Sequence, residues 1–460
     1  MGGLGVIDIL ARASELLPSV EKPKQRPTLD RRLLMTGIVL VIYFILANIP
    51  LYGIPRVGDG VQQIHLLRII FASSHGTLME LGIGPIVTAG LILQILVGAK
   101  LINLDLTNPE DRKKFTGAMK TLAIVFAVVQ AVGLVASRTY WIGTGIVPSY
   151  PQMLIVMLQL VAGAILVILF DELLQKGWGI GSAISLFILA GVAHTVFWQI
   201  FGFVSTEGGI IYYGVIPALV TERSLTVLAR PGGYPDVTGL LATILLLVIL
   251  VYLQGTKIEI PVAVGRFAGL KSRVPLQLIY VTNIPILLVG IIVADLQLIE
   301  GIVSNLWPAS PVSEALRTLI YYVSPPHGII AAVSDPVRVV TFAVSWTIMA
   351  VALGFMWVEV SGLNPRSQAE TLVKSGLEIP GVRRNVRVLE ELLAEYIYPL
   401  TLLSSLIVVS IVILGDTLGC YGSATGLLLS AGIIQQYYAI IVRDRALEMY
   451  PVLRRLLGEE

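Results

Sequence analysis

Ten stretches of this chain are each long and apolar enough to cross a bilayer: 33–52, 77–98, 117–137, 152–171, 180–204, 238–254, 275–298, 337–358, 397–415 and 424–442. A hydrocarbon core about 30 Å thick takes roughly 20 apolar residues of helix, and backbone groups in lipid must pair within their own segment. The pattern predicts an all-α polytopic membrane protein and excludes a soluble domain of this length. Only 13% of the residues are charged, against roughly 25% in soluble domains, and the mean hydropathy is +0.84. The period-2 alternation of a membrane barrel is absent.

Basic residues set the orientation. With ten spans, 25 of the 32 lysines and arginines fall on one set of alternate loops and 7 on the other. The positive-inside rule then puts both termini in the cytosol. An erroneous span would have scrambled that split. Residues 1–32 read as a basic cytosolic segment rather than a cleavable signal, and 443–460 as a cytosolic tail. The loop 205–237, with glycine pairs at 208–209 and 232–233, divides the spans five and five. Five is odd, so residues 33–204 and 238–442 are expected to form two halves of opposite orientation, as in many transport proteins. The single cysteine, Cys420, excludes an intrachain disulfide.

Few ionisable groups fall inside the spans, where charge is costly and usually functional. Glu80 and Asp295 are expected near the outer ends of spans two and seven, Asp171 and Glu172 at the cytosolic end of span four. His194, inside span five, reads as a packing residue. An ion-coupled secondary transporter is the alternative function, favoured by inverted halves but expected to carry an acid near mid-span, which these boundaries do not supply. A membrane-embedded enzyme lacks HExxH, Walker A, GxSxG or GxGxxG sequences. Segment 61–76 has helical spacing on one face (Ile64, Leu67, Ile70, Phe71) but is interrupted by His65 and Arg68. A surface-lying amphipathic helix and a half-helix folded back into the protein both fit it.

Four stretches bear on function: ThrLeuMetGluLeuGlyIleGlyProIleValThrAlaGly (77–90), AspGluLeuLeuGlnLysGlyTrpGlyIleGlySer (171–182), AsnIleProIle (283–286) and AlaThrGlyLeuLeuLeu (424–429). They closely resemble the SecY family, in particular its archaeal members and the α subunit of the eukaryotic endoplasmic-reticulum translocon. The resemblance covers nearly the whole chain. It implies a protein-conducting channel that passes unfolded polypeptides across the membrane and releases apolar segments sideways into lipid, with no cofactor. Ile83, Val87, Ile184, Ile188, Leu287 and Leu429 match the family's pore ring around a central pore. Such a ring of alkyl groups dewets and resists ions while offering no fixed charge to a passing chain. Segment 62–74, with Ile64, Leu67, Arg68, Ile70 and Phe71, matches the plug helix. Thr88, Gln130 and Asn283 match the polar cluster of a lateral gate between spans two and three and spans seven and eight.

The partners implied are a SecE-type subunit, a one-span β-type subunit, the ribosome, signal-sequence-bearing precursor proteins and membrane lipid. Loops 257–274 and 359–396 carry the candidate ribosome-binding residues Arg266, Lys271, Arg273, Arg383 and Arg384, with Arg387 beside them. Arginine there meets RNA phosphate or acidic protein. Arg383→Glu is expected to weaken ribosome binding at moderate salt and to reduce the salt slope by about one unit. Unchanged affinity and slope in a sedimentation assay would remove Arg383 from the docking surface.

Overall fold

The computed structural model describes residues 6–25, 27–55, 75–98, 101–102, 104, 108–141, 146–206, 209–222, 225–230, 234–264, 271–277, 284–326, 328–374, 377–378 and 385–449. Helices dominate. In chain order they are α1 Val6–Ala13, α2 Leu29–Asn48, α3 Gly84–Gly98, α4 Pro109–Ala136, α5 Tyr150–Leu173, α6 Ala183–Phe201, α7 Val215–Glu222, α8 Val237–Gly255, α9 Ile284–Leu306, α10 Pro311–Val323, α11 Ile329–Ser334, α12 Pro336–Val360, α13 Pro365–Lys374, α14 Val386–Thr417 and α15 Ala424–Met449. Among the described residues, eight helical stretches are long and apolar enough to cross a membrane, built on α4, α5, α6, α8, α9, α12, α14 and α15. The 20-residue α2 and the 15-residue α3 lie where the first two spans are expected.

Local chemistry starts these helices. Asn108 caps α4 by accepting from the Glu110 N–H at 3.1 Å, with Pro109 and two acids in the first turn. Asp236 caps α8 through the Gly239 N–H at 2.7 Å, and Ser310 caps α10 through the Ser313 N–H at 3.1 Å, ahead of Pro311. A side-chain oxygen satisfies a donor that the helix itself leaves orphaned, and proline at N1 has no N–H to lose. Apolar side chains then cover the outside. On α8, Leu241, Leu245, Val248 and Val251 are 58–66% exposed, a contiguous greasy face that water does not tolerate and lipid does. The protein is a multi-pass membrane protein.

The architecture is all-α in class, with short strands between helices: β1 (Val204–Thr206) pairs antiparallel with β2 (Gly209–Ile211), and β3 (Lys257–Val264) pairs antiparallel with β4 (Lys271–Gln277) and with β5 (Leu377–Glu378). Ile258, Ile260 and Val262 alternate with Lys257, Glu259 and Pro261, the period of a strand rather than a helix. Two span boundaries are corrected. Because 271–277 belongs to β4, span seven does not begin near 275; its described helix is Ile284–Leu306. Likewise span two is helical only from Gly84. Residues 77–83 run as turns, with Gly76 and Gly82 at φ +72° and +51°, and Pro85 stands where an N–H would be unpaired in any case.

The N-terminal segment is docked rather than free. Ile7 packs with Leu93 and Ala118. Lys120 Nζ donates to the Pro18 carbonyl at 2.6 Å and to Glu172 at 2.7 Å, Lys176 pairs with the other Glu172 oxygen at 2.6 Å, and Trp178 Nε1 donates to the Glu21 carbonyl at 2.8 Å. At the start of α2, Arg32 is 8% exposed. It donates to the Gly179 carbonyl at 2.9 Å and pairs with Asp444 on α15. Removing one member of a buried pair strands the other, at a cost of about 3–5 kcal/mol. Arg32→Met should therefore lower the thermal midpoint of the purified protein sharply, and adding Asp444→Leu should restore most of it. Equal midpoints for Arg32→Met and wild type would show that the pair carries no stability.

Candidate functional site

Two turns place the first residues of the site. The segment before α3 is held from outside: the Leu51 N–H donates to the Gly76 carbonyl at 2.9 Å and the Leu78 N–H to the Ile49 carbonyl at 3.1 Å. Glu80 accepts from the Gly76 N–H and pairs with His75 Nδ1 at 3.0 Å. Gly163 on α5 lets the Leu78 carbonyl approach to where a Cβ would stand. The chain so constrained delivers Ile83 directly before α3, where its carbonyl accepts from the Val87 N–H at 3.1 Å.

The second turn joins α5 to α6. Asp171, 4% exposed, accepts from Ser182 Oγ at 2.6 Å, Gln175 Nε2 at 2.7 Å and the Ile184 N–H at 3.3 Å. Asp171 is thus a buried staple between the end of α5 and the start of α6. Gly177, at φ +103°, makes the reversal. Gly181, at φ +67°, leaves room for the Tyr437 ring, which would lie 2.9 Å from a Cβ there. The turn sets where Ile184 and Ile188 project.

The six expected ring residues share one apolar cluster. Ile83, Ile188 and Leu429 are buried in it, and Val87, Ile184 and Leu287 pack against it while keeping part of their surface open. Five of the six lie within the first six residues of α3, α6, α9 or α15, and Ile83 immediately precedes α3. Their neighbours Ile286 and Leu428 are 1% and 0% exposed, so the more accessible face at those two positions belongs to Leu287 and Leu429.

The polar cluster differs from expectation. Thr88, 6% exposed, donates to both carboxylate oxygens of Asp295, at 3.1 and 2.9 Å. Asp295 is the twelfth of the 23 residues of α9. It is a mid-helix acid, not the outer-end residue that the expected span 275–298 made it. Sequence reasoning missed it for that reason alone; the signal was an acid in an apolar run. Gln130 is buried at 7% exposure on α4, and Asn283 lies outside the described residues. His194 is exposed on α6, its ring 6.3 Å from that of Phe44, rather than packed inside. The plug positions Ile64, Leu67, Arg68, Ile70 and Phe71 lie outside the described residues, as do Arg266, Arg383 and Arg384. Lys271 and Arg273 fall in β4, in register with Ala263 and Pro261. Burial pushes the Cys420 thiol well above its ordinary range, which keeps it unreactive.

Hydrogen bonds joining α2–α6 to α8–α15 fall, among the described residues, into two sets. On one side are Thr88–Asp295 and Asn305 Nδ2 donating to Thr139 Oγ1 at 3.2 Å. There Gly133 on α4 also admits Ile302 of α9, whose Cδ1 would lie 2.6 Å from a Cβ. On the other side, Tyr437 Oη donates to the Ser182 carbonyl at 2.8 Å, the Gly422 N–H to Gln199 Oε1 at 2.8 Å and the Leu29 N–H to Glu448 Oε1 at 2.6 Å, beside the Arg32–Asp444 pair. The first set joins side chain to side chain. The second engages main chain in three of its bonds.

A bundle of membrane helices whose starts converge on an apolar, charge-free wall defines a polytopic membrane protein with a seam beside that wall. The SecY family profile matches residues 77–438, and the plug domain of Sec61p matches residues 41–76; the chain belongs to the SecY family. The protein translocase subunit SecY of Aeropyrum pernix is 57% identical over 99% of this chain and 100% of its own length. A solved structure of a protein-conducting channel superposes with a TM-score of 0.79 at 34% identity, covering 97% of this chain and 99% of that one. Sec61 in the canine ribosome–channel complex from the endoplasmic reticulum gives 0.76 at 33% identity, over 97% and 99%.

Proposed function

We propose that this chain is the pore-forming subunit of a Sec protein translocase, passing unfolded secretory polypeptides through the membrane and releasing transmembrane segments laterally into lipid. The observation that carries the reading is the common apolar cluster of Ile83, Val87, Ile184, Ile188, Leu287 and Leu429, in a chain related over its whole length to translocase subunits. Alkyl groups at a constriction exclude water and ions when idle and yield to chains of differing width. No charge in that ring would trap a peptide.

In this reading ten spans form two inverted halves, with α2 and α3 as the first two and both termini in the cytosol of a cell-membrane protein. The seam bounded by α3 and α4 on one side and α9 and α12 on the other is the lateral gate. Its bonds are of the kind that support parting: they join side chain to side chain, so separation strands no main-chain group, whereas the bonds on the other side each hold one. Thr88, Gln130 and Asn283, now with Asp295, bias it shut, and an apolar segment offsets that bias by entering lipid. Residues 62–74 close the outer funnel as a plug. Loops 257–274 and 359–396 dock the ribosome, and a SecE-type helix and a β-type subunit complete the complex. The comparisons give no support to an ion-coupled transporter.

The test is crosslinking. A photoreactive residue at Ile83 or Ile184 is expected to capture a ribosome-stalled secretory precursor, while one at lipid-facing Leu245 captures none until a membrane segment has left the channel. Adducts at Leu245 with none at Ile83 or Ile184 would contradict the proposed path.

A further inference from the structure

Besides Glu80 and Asp171, a third acid sits beside the start of a wall helix. Asp416, the second-to-last residue of α14, is 1% exposed. Its Oδ1 accepts from the N–H of Ala424, the first residue of α15, at 2.7 Å, with Cys420 Sγ 4.0 Å away. An N–H at that position has no partner inside its own helix, and a carboxyl oxygen beside it is stabilising. Among the described residues the other oxygen, Oδ2, has no partner. The bond through Oδ1 needs only an acceptor, so it forms whether the acid is ionised or neutral.

The elements around this bond are closely held. A Cβ on Gly415 would lie 2.6 Å from that of Ala424, so the end of α14 lies directly against the start of α15. The reversal between them uses three left-handed residues, Gly419, Gly422 and Ser423, at φ +75°, +67° and +59°. Other helices fix its far side: the Tyr421 N–H donates to Thr243 Oγ1 at 2.7 Å, Tyr421 Oη to the Asp236 carbonyl at 2.6 Å and the Gly422 N–H to Gln199 Oε1 at 2.8 Å. Asp416 repeats what Asp171 does. Near the end of α5, Asp171 accepts from the Ile184 N–H in the first turn of α6, with Ile188 of the wall one turn on. At the end of α14, Asp416 accepts from Ala424, with Leu429 of the wall about one turn on. On the reading of two inverted halves, each acid joins the fourth span of its half to the fifth, from opposite faces of the membrane.

We propose that Asp416 is a positioning residue of the wall: by holding the first N–H of α15 against the end of α14 it sets where Leu429 projects, and so helps close the idle channel to ions. This rests on the reading of the apolar wall as the constriction of a channel. Ala424 is fully buried, so without the acceptor its N–H is stranded, and a stranded buried donor costs enough to shift the helix start toward another partner. Leu429 moves with that start.

The experiment records the ion conductance of the complete channel complex in planar bilayers, with no ribosome or precursor present. Asp416→Leu is expected to raise the idle conductance about tenfold, the equilibrium factor that one stranded buried donor is worth. Asp416→Asn should leave it unchanged, because the amide oxygen still accepts from Ala424. A double-mutant cycle with Leu429→Ala separates positioning from general weakening: with the wall residue already trimmed, Asp416→Leu should add little. Unchanged conductance in Asp416→Leu overturns the proposal, and so does a rise that multiplies in full with that of Leu429→Ala. A leak in Asp416→Asn overturns it too, since the seal would then rest on the charge and not on the bond. If the Leu variant fails to assemble, replacing Ala424 by its α-hydroxy acid deletes only the N–H; the same rise is expected, and its absence overturns the proposal. Wild-type conductance in both Leu429→Ala and Ile83→Ala would instead bring down the channel reading of the wall, an outcome distinct from wall variants that leak while Asp416→Leu does not.

Discussion

Main-chain polar groups that lose their partners away from water cost several kcal/mol each, while a side-chain pair of the kind that joins membrane helices is worth on the order of 1 kcal/mol. That inequality organises the bundle. Where α2 and α6 meet α15, the bonds reach the Ser182 carbonyl, the Gly422 N–H and the Leu29 N–H, and a buried arginine–aspartate pair reinforces them. Where α3 and α4 meet α9, the bonds among the described residues run between side-chain groups, Thr88 to Asp295 and Asn305 to Thr139. The same bundle thus has a side whose separation would strand main-chain groups and a side whose separation would not.

The apolar wall depends on two polar devices set outside it. Glu80 pins the turn before α3 to Gly76 and His75, and Asp171 ties the end of α5 to the beginning of α6. Each delivers aliphatic residues to the wall without putting a charge in it. The proposed conduit is therefore greasy at its narrowest point because the carboxylates that shape it are spent on backbone and hydroxyl donors behind it.

Much of this was legible in the sequence. Long apolar runs between basic loops located the membrane helices, since length and charge are what a bilayer selects. Boundaries were legible unevenly: α12 begins at Pro336, beside the expected 337, whereas α4 begins at Pro109, ahead of the expected 117. Span seven was misplaced because ValProLeuGln, residues 274–277, is as apolar as a helix start, and only its pairing with β3 reveals it as strand. That slip hid Asp295. The wall residues were legible through resemblance, not periodicity, because an aliphatic residue on a membrane helix looks the same facing lipid, a neighbour or a pore. The staple made by Asp171 was not legible for a related reason: its partners, Ser182 and the Ile184 N–H, lie across a glycine-rich reversal that spacing does not encode.

The central claim is that one seam opens and the other holds. Spin labels at Val129 on α4 and Ile299 on α9, both exposed, report the first; labels at Phe197 on α6 and Ile434 on α15, also exposed, report the second. The buried Cys420 leaves the added cysteines free to be labelled selectively. On engagement of a stalled precursor with an apolar signal segment, the pulsed electron-resonance distance across the first pair should lengthen while that across the second stays fixed. A widening confined to the Phe197–Ile434 pair, or no change in either, would contradict the account.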